Sequence, residues 1–561
     1  MSARPRRTTL ALFALLAAMC APLPGSRSNE TQAAPPTPPD DPLLQAMLAE
    51  LERSKLQLKM ENVPAPYYIE YRVTEIEDYF VEAAFGALRQ EQRVRTRVLR
   101  AVVRVGDYKQ DSYFGQGLGA ANVIPMDDDP IALRRQLWWV TDQAYKAAAE
   151  ALTAKQALLK QYSVDQPVDD FARAPVLQSI WPVAKLEVDP ARWQGLLETS
   201  SALLRRYPEV QSLETSLRFT ALNHYFVNSE GTVTRRGQSL YSMGISGSTQ
   251  AEDGMRLDRS PYYLVDSPQE LPTPEQFLAD SVKMLETLKR LREAPVVEEE
   301  YRGPVLFAPD AANDVFAGLV GSNVLGRKPE PGKTVRTTGA YATSYRSRVL
   351  PEFLSVIDDP TLKNFQGHSL VGRYEVDDEG VKASPVTVIQ AGELVNYLLG
   401  RQPIRDFPSS NGHGRAAPGA LPSPSLGNLI VRSSQPLSPE ELKKKMLELC
   451  RQRGMPYGYF AETLGPRYSP RLLYRVWEKD GREELVRGAL FSGLDTRELR
   501  HDLLAVGNDP EVSNRPGPVP ETVISPSILF DELEVKRSDS AKEKLPEYPP
   551  PALSNPPARK K

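Results

Sequence analysis

Histidine, cysteine and carboxylate side chains are the residues of this chain that could bind a metal or carry acid–base chemistry. The sequence has four histidines, and no two of them are close enough along the chain to lie on one helix face. Zinc requires three or four nitrogen, sulfur or oxygen ligands in a near-tetrahedral array. The best candidate set is His368 and His413 with Asp378 and Glu379. A carboxylate–histidine metal site of this kind is chemically feasible, but a hairpin turn and a polar loop histidine are the simpler interpretation.

Nucleophilic catalysis has less support in the sequence. No Gly-x-Ser-x-Gly turn is present, and Cys450 follows Leu449 in the middle of a predicted helix. A catalytic serine of that class needs the exposed turn, and a reactive cysteine needs surroundings that favour the thiolate. A serine or cysteine hydrolase is therefore not favoured.

The composition limits the classes of protein to which the chain can belong. Its 561 residues suffice for two or three domains with sizeable cores. The 69 Lys and Arg residues nearly balance the 72 Asp and Glu residues, so no basic field favours nucleic acid as a partner. The two cysteines, Cys20 and Cys450, are too few for a disulfide framework or a cysteine-based structural zinc site.

The first residues have the pattern of an export signal. Three arginines precede a short apolar run, Leu10–Met19, and small residues follow. We expect a cleavable signal peptide over residues 1–22 and a proline-rich linker over residues 23–42, and hence a periplasmic or extracellular location. Lipid anchoring through Cys20 is an alternative, although Met19 is unusual directly before a lipidated cysteine. No later segment is apolar enough to span a membrane, so we expect no transmembrane span after signal cleavage.

Apolar periodicity and turn residues predict the elements of the first half. Trp138 and Trp139 are interpreted as core anchors of a long helix. Residues Leu213–Ser246 are expected to form a hairpin around the turn Asn228–Gly231, in which Glu230 has a structural role; a functional acid is the alternative. The predicted helices and strands are Pro42–Met60, Tyr67–Val73, Phe80–Leu88, Val98–Val105, Leu133–Tyr162, Pro190–Arg206 and Pro272–Glu293.

The second half has the pattern of a β-rich region. A short strand, Val305–Phe307, leads into a helix over Asp310–Gly321, in which Gly318 and Gly321 would allow close approach of another segment. Ser438, Pro439 and two acidic residues predict the start of another helix, Ser438–Arg453. Further strands are predicted at Ser369–Tyr374, Val386–Gln390, Leu394–Leu399, Asn428–Val431, Leu472–Trp477 and Ile528–Val535.

Several short motifs follow one another in this second half. They are Asp377–Val381, Ile389–Leu394, Asn411–Arg415, Gly427–Leu429, Gly493–Leu494 and Val506–Asp509. Each is weak alone, but the ordered set resembles the C-terminal domain of the TldD/PmbA metallopeptidase family, also called the modulator of DNA gyrase family. The resemblance implies a two-domain α/β (α+β) fold with a β-rich C-terminal domain. We place the N-terminal domain at residues 43–295, the C-terminal domain at 303–536 and a disordered tail at 537–561.

The resemblance also indicates which chemistry is missing. In the TldD branch of the family, the helix after the first strand of this domain carries His-Glu-x-x-x-His. The matching positions here are Ala317, Gly318 and Ser322, which cannot bind zinc or act as a general base. The family's cysteine ligand would lie within Ser513–Ser527, which contains no cysteine. The metal region is therefore more similar to PmbA than to TldD, and we expect no metal or other cofactor bound by this chain.

The favoured hypothesis is an exported, non-catalytic member of the family that binds or gates peptides in a proteolytic complex. The resemblance implies a dimer, either with a TldD-like metal-bearing subunit or with a second copy of the chain. It also implies a peptide substrate and zinc held by the partner. The candidate substrate-binding residues are Asp378, Glu379, Gly380, Gly412, His413 and Gly414.

Two other functions are compatible with the same residues. A stand-alone peptide- or envelope-binding protein would keep the fold without proteolysis and would have no metal-bearing partner. A metallohydrolase with a rearranged site around His413, Asp378 and Glu379 would contain metal after purification and would lose activity on His413→Ala.

Overall fold

The computed structural model of the protein describes residues 41–161, 168–538 and 543–546. The predicted signal peptide, Cys20 and nearly all of the proline-rich linker lie outside these residues, as does Tyr162. Of the predicted tail, Arg537 ends a strand and the Glu543 N–H donates to the carbonyl of Gly254.

Helices begin at the positions that the sequence marks as starts. Ser438 forms a capping box with Glu441, and Thr273 forms one with Gln276. The predicted helices are confirmed with ends that differ by a few residues, except that the helix predicted over Asp310–Gly321 is α-helical only as far as Val315. The α-helices of the described residues are α1 (Pro42–Gln57), α2 (Pro130–Leu159), α3 (Pro190–Ser201), α4 (Pro274–Glu293), α5 (Pro309–Val315), α6 (Pro439–Gln452) and α7 (Thr496–His501).

Strands occupy more of the structure than helices do in the second half. In chain order they are β1 (Pro66–Ala84), β2 (Ala87–Val105), β3 (Ala120–Ile124), β4 (Gln178–Ile180), β5 (Ser212–Asn228), β6 (Val233–Gln250), β7 (Arg256–Arg259), β8 (Tyr262–Val265), β9 (Tyr301–Phe307), β10 (Leu354–Asp358), β11 (Asn364–Phe365), β12 (His368–Ser369), β13 (Val386–Gln390), β14 (Glu393–Leu394), β15 (Gly414–Arg415), β16 (Ser423–Pro424), β17 (Asn428–Ser433), β18 (Tyr457–Leu464), β19 (Pro470–Trp477), β20 (Glu483–Val486), β21 (Ala489–Ser492), β22 (Leu503–Val506), β23 (Glu511–Arg515), β24 (Glu521–Ser525) and β25 (Ile528–Arg537).

The first half forms one twisted sheet of two long hairpins. Its strand order is β3-β2-β1-β5-β6-β4, and β7 and β8 also pair with β6. Odd-numbered side chains of β1 face two hydrophobic cores. Tyr71 packs in the core that α1 and α2 cover, and Val81 packs in the core that α3 and α4 cover. Successive side chains of a strand alternate between faces, so even-numbered residues such as Arg72 and Thr74 face the opposite way, toward loops of the second half.

The predicted hairpin Leu213–Ser246 is confirmed by β5 and β6. The turn is held by Asn228, whose side-chain oxygen accepts from the N–H groups of Glu230 and Thr232. Gly231 has a φ of 103°, which suits glycine.

The predicted strand Phe80–Leu88 is wrong, because the chain reverses inside it. Phe85 and Gly86 have φ angles of 56° and 80° and join β1 to β2. Two successive residues with positive φ make the turn that connects twisted antiparallel strands most directly.

The interpretation of Trp138 and Trp139 as core anchors is also wrong. Their exposed fractions are 37% and 50%. Adjacent helix positions point about 100° apart, and the buried stripe of α2 is instead formed by Leu133, Leu137 and Val140.

The second half contains two larger sheets and many irregular loops. The six-stranded sheet has the order β14-β13-β10-β17-β24-β23, and the seven-stranded sheet has β20-β19-β18-β9-β25-β21 with β22 also on β25. Two predicted strands are mostly irregular: only Ser369 of Ser369–Tyr374 and only Leu394 of Leu394–Leu399 are in strands. In these segments the backbone groups form hydrogen bonds with loops instead of with a neighbouring strand. For example, the Tyr374 N–H donates to the carbonyl of Pro360.

The fold class predicted from the sequence, α+β with a β-rich second half, is confirmed. The eight-stranded sheet uses residues before 266, and the two larger sheets of the second half use residues after 300. Among the described residues, no helix combines the length and apolar character needed to cross a bilayer.

Candidate functional site

The helix that would carry the family's zinc ligands changes its winding at those positions. α5 follows β9, gives way to a π-helical turn over Phe316–Val320, and ends in a single 3-10 turn over Gly321–Asn323. Phe316 and Val320 are fully buried in the core of the second half. Single π-helical turns occur often at functional sites, so this turn is a candidate site by its backbone alone.

The side chains on this turn do not fit zinc. Ala317 is buried, and the Ser322 hydroxyl donates to the carbonyl of Gly318. The hydroxyl of Tyr468 occupies the space that a Cβ atom on Gly318 would need. Zinc needs three or four ligands. Ala317 and Gly318 have no side-chain atom that could bind it, and the Ser322 hydroxyl already forms a hydrogen bond.

Gly318 of the π-helical turn and Gly321 of the following 3-10 turn both allow the close approach that the sequence predicts. A Cβ atom on Gly321 would lie 2.7 Å from a methyl carbon of Leu426. Tyr468 and Leu426 therefore pack directly on the backbone of the turn, and any larger residue at either glycine would displace them.

The segment Ser513–Ser527 does lie against α5, where the family's cysteine ligand is expected. Ser525 Oγ is 2.9 Å from Asn313 Oδ1, and Arg515 Nη1 is 2.6 Å from Asp314 Oδ1. These pairs join the segment to the helix through hydroxyl, amide and ion-pair contacts. Cys450 lies elsewhere, buried in α6, and burial raises the pKa of its thiol to about 11.

A carboxylate beside the turn is the group that sequence reasoning missed. Although Asp310 is exposed to solvent, the protein around it reduces its hydration, and Asp314 and Glu511 add repulsion, so its pKa is raised to about 6. Asp310 and Asp314 are one helical turn apart on α5. In the sequence, Asp310 is only an acid in the first turn of a helix, which many helices have.

The predicted turn at Asp377–Gly380 is present, and its three carboxylate residues are buried. Asp377 Oδ1 accepts from the N–H groups of Glu379 and Val381, and Oδ2 accepts from that of Gly414. Burial, followed by repulsion from Glu379, raises the pKa of Asp377 well above its usual range.

Asp378 connects this turn to the eight-stranded sheet. Its carboxylate is 2.6 Å from Arg236 of β6 and 3.2 Å from Arg415, and it accepts from the Ala416 N–H. Burial alone would raise the pKa of Asp378, but the two guanidinium groups lower it below its usual range.

Glu379 makes the second connection, through Arg401. Glu379 Oε2 accepts from the Arg401 N–H at 2.6 Å, and burial raises the pKa of Glu379. The Arg401 side chain is fully buried; it donates to the carbonyl of Ala172 and lies 2.8 Å from Glu230. Glu230 also accepts from Tyr108, so its position in a structural ion pair agrees with the structural interpretation of that turn.

The loop Gly412–Gly414 is buried in the same way. The carbonyl of Gly412 accepts from the Tyr374 hydroxyl. His413, interpreted from the sequence as a polar loop histidine, lies in this loop and is fully buried. Its Nε2 is 3.2 Å from Asp358 Oδ1, and its Nδ1 is 3.0 Å from Asn411 Oδ1.

The four residues considered for a rearranged metal site do not come together. His368 is exposed in β12, His413 contacts Asp358, and Asp378 and Glu379 contact arginine residues. Among the described residues, no three histidine, cysteine or carboxylate side chains are grouped as metal ligands. Substrate binding by the turn and the loop stays a prediction, because both now hold the two halves of the chain together.

Comparisons with known proteins agree with this architecture. Residues 300–537 match the model of the PmbA/TldA metallopeptidase C-terminal domain. A metalloprotease from Methanocaldococcus jannaschii, MJ0996, is 26% identical over 118 residues, which is 21% of this chain and 25% of the relative. The match thus spans about a quarter of that protein's length.

Solved structures share the fold over nearly their whole length. TM0727 of Thermotoga maritima has a TM-score of 0.58 at 15% identity, with 87% of this chain and 99% of that chain covered. TldE of Thermococcus kodakarensis has a TM-score of 0.57 at 13% identity, with 88% and 100% covered. BT3649 of Bacteroides thetaiotaomicron has a TM-score of 0.57 at 12% identity, with 88% and 98% covered. The C-terminal match places residues 300–537 in the PmbA/TldA metallopeptidase C-terminal domain family, and the chain shares the fold of these solved structures over most of its length.

Proposed function

We propose that the chain is a non-catalytic subunit that binds or gates peptides for a zinc-bearing member of the same family. The observation that carries the proposal is the packing at Gly318. Because the Tyr468 hydroxyl occupies the space beside the Gly318 backbone, neither a general-base carboxylate nor any other side chain fits there. Ala317 and Ser322 add no zinc ligand, so zinc and the acid–base group would come from the partner.

The peptide-binding part of the proposal rests on the surface of α5. Asp310 and Asp314 present carboxylates on one side of the π-helical turn, and Arg515 and Tyr468 lie beside them. Carboxylate and guanidinium groups are suited to bind the N–H groups, carbonyls and charged ends of an extended peptide. Export to the periplasm or the cell exterior is also part of the proposal, and its support is the signal-like pattern around Leu10–Met19.

The decisive experiment compares the purified full chain alone with the same chain mixed with a TldD-type subunit that carries His-Glu-x-x-x-His. Zinc is measured by elemental analysis and proteolysis by cleavage of casein. We expect no stoichiometric zinc and no cleavage by the chain alone. We expect the mixture to cleave casein faster than the TldD-type subunit alone. Stoichiometric zinc in the isolated chain, with cleavage that a chelator abolishes, would overturn the proposal.

Peptide contact is tested separately by binding of fluorescein-labelled casein peptides. Asp310→Asn is expected to weaken binding several-fold, since it removes one charge beside the turn. Asp142→Asn, on the exposed side of α2, is the matched control and should bind as the wild type does. Equal affinity of the wild type and Asp310→Asn would exclude this surface.

A further inference from the structure

A small cavity lies between the eight-stranded sheet and the loop at residues 416–419. It has a volume of about 30 Å³ for water-sized molecules. Its walls include four basic residues, Arg72, Arg100, His224 and Arg236, and two acidic residues, Asp377 and Asp378. A water molecule needs at least about 10–15 Å³ by this kind of measure. The cavity therefore has room for about two waters or one small ion, and not for a length of peptide.

The strand register brings the basic side chains to one patch of the sheet. Arg72 of β1 is directly opposite Arg100 of β2, and His224 of β5 is directly opposite Arg236 of β6. Arg72 shares its face of β1 with Thr74, which is opposite His224. Like charges directly opposite each other on a sheet destabilise it, so the Arg72–Arg100 pair calls for a compensating negative charge.

The protein does not supply that charge to Arg100. Its Nη1 and Nη2 atoms donate to the carbonyls of Gly419 and Leu118, at 2.9 and 2.8 Å, and its Nε atom is buried without a partner. Within the described residues it has no carboxylate in ion-pair contact. Burial, followed by repulsion from Arg72, lowers the pKa of the Arg100 guanidinium.

Arg72, in the wall of the same cavity, has a hydrogen-bond donor without a partner among the described residues. Its side chain is nine-tenths buried, and its Nε atom is 3.2 Å from Glu70. Its Nη2 atom is buried and has no hydrogen-bond partner among the described residues. An arginine N–H that is buried and unpaired costs free energy, and a ligand that accepts from it would recover that cost.

The remaining charges around the cavity do not cancel the excess. Asp378 is shared between Arg236 and Arg415. Asp377 also lines the cavity, but burial, followed by repulsion from Glu379, raises its pKa well above the usual range and so favours its neutral form. Burial and Arg236 lower the pKa of His224 to about 3, so the imidazole is neutral near pH 7. Glu70 pairs with Arg72, and Asp378 pairs with both Arg236 and Arg415. With Arg100, the arginines here therefore outnumber the carboxylates that they contact.

We propose that this cavity binds one small monovalent inorganic anion of the size of chloride, held between Arg72 and Arg100. The anion accepts from the free Nη2 atom of Arg72 and neutralises the cross-strand arginine pair. The sheet and the loop at 416–419 belong to different halves of the chain, so the ion contributes to holding the halves together. The site is separate from α5, and the proposal does not depend on the proposed function.

The test is thermal unfolding of the full chain in sodium chloride and in sodium gluconate at equal ionic strength. Gluconate is too large for the cavity. We expect Tm to be higher in chloride, by about 2 °C when the chloride concentration is well above its Kd, and to keep rising with the logarithm of chloride concentration, as for a ligand that binds only the folded chain. Arg100→Gln should remove the difference between the two salts. Arg95→Gln, an exposed arginine of the same strand, should keep it.

Equal Tm values for the wild type in the two salts would overturn the proposal, as would an unchanged chloride effect in Arg100→Gln. If Arg100→Gln does not fold, the comparison of wild-type Tm values in the two salts decides whether the proposal holds. Crystals grown in sodium bromide should show an anomalous bromine peak between Arg72 and Arg100, and the absence of that peak would overturn the proposal.

Discussion

The hydroxyl of Tyr468 lies where a side chain on Gly318 would have to begin. Tyr468 itself has a φ of 57°, an uncommon conformation for a residue with a side chain, and it is only partly buried. The π-helical turn and the tyrosine therefore fit each other through the absence of a Cβ atom at position 318. A side chain at position 318 would therefore require Tyr468 to move.

Gly318→Ala is expected to lower the free energy of unfolding by about 1–3 kcal/mol, because the new methyl group overlaps the Tyr468 ring and hydroxyl. Urea unfolding measures the change. Gly195→Ala in α3 is the control, since nothing lies near its Cβ position; it should stabilise the chain by about 0.5–1 kcal/mol. In a Tyr468→Ala background the cost of Gly318→Ala should shrink. An undiminished cost there would show that the clash is not with Tyr468.

Asp378→Asn should destabilise the chain by about 3–5 kcal/mol, because it leaves Arg236 and Arg415 buried without their counter-charge. Chemical denaturation of the variant and the wild type at pH 7 measures this. Asp142→Asn removes a partly exposed carboxylate paired with Lys146 and should cost about 0.3–0.5 kcal/mol. Similar costs for the two substitutions would contradict the assignment of Asp378 as a buried link between the halves.

Glu379 should make stability fall as pH rises. Burial raises its pKa in the folded chain, so its protonated form is favoured there. The stability linked to this proton is complete below the unfolded value of about 4.3 and is lost as pH rises through the folded value. Relative to the wild type, Glu379→Gln should therefore be more stable at pH 8 than at pH 5 in urea titrations. The same difference at both pH values would contradict the raised pKa.

The tryptophans of the first half should differ in their contribution to stability. Trp193 has an exposed fraction of 7% and packs edge-on against Phe219, so Trp193→Ala should cost about 3–5 kcal/mol. Trp139 has an exposed fraction of 50%, and Trp139→Ala should change stability by less than about 1 kcal/mol. Thermal unfolding of the two variants measures both effects. A large loss in Trp139→Ala would restore the interpretation of that residue as a core anchor.

Local signals in the sequence predicted the elements that have local causes. The hydroxyl and acid at Ser438 and Glu441 specify a helix start, and Asn228 with Gly231 specifies a turn, because each makes its contacts within a few residues. The reversal at Phe85 and Gly86 was missed because Gly86 is the only residue typical of turns between Phe80 and Leu88.

The sequence predicted which zinc ligands the candidate site lacks, but it did not predict which side chains contact one another there. The sequence shows directly that positions 317, 318 and 322 lack zinc ligands. It cannot show that Tyr468 occupies the space at Gly318, since the two are separated by most of the second half. Arg236 and Arg401 were missed for the same reason: their carboxylate partners, Asp378 and Glu230, are distant in the chain.

The position of β25 has a consequence for how the chain must be made. β25 pairs with β9, whose other neighbour is β18, so one of the last strands to be synthesised lies beside the first strand of the second half. Until Ile528–Arg537 has left the ribosome, one edge of β9 is open, and pairing across such a distance is slow. A chain interrupted before Ile528 would expose that apolar edge to other chains. Premature termination near this point is therefore expected to yield aggregates rather than a shortened, folded protein.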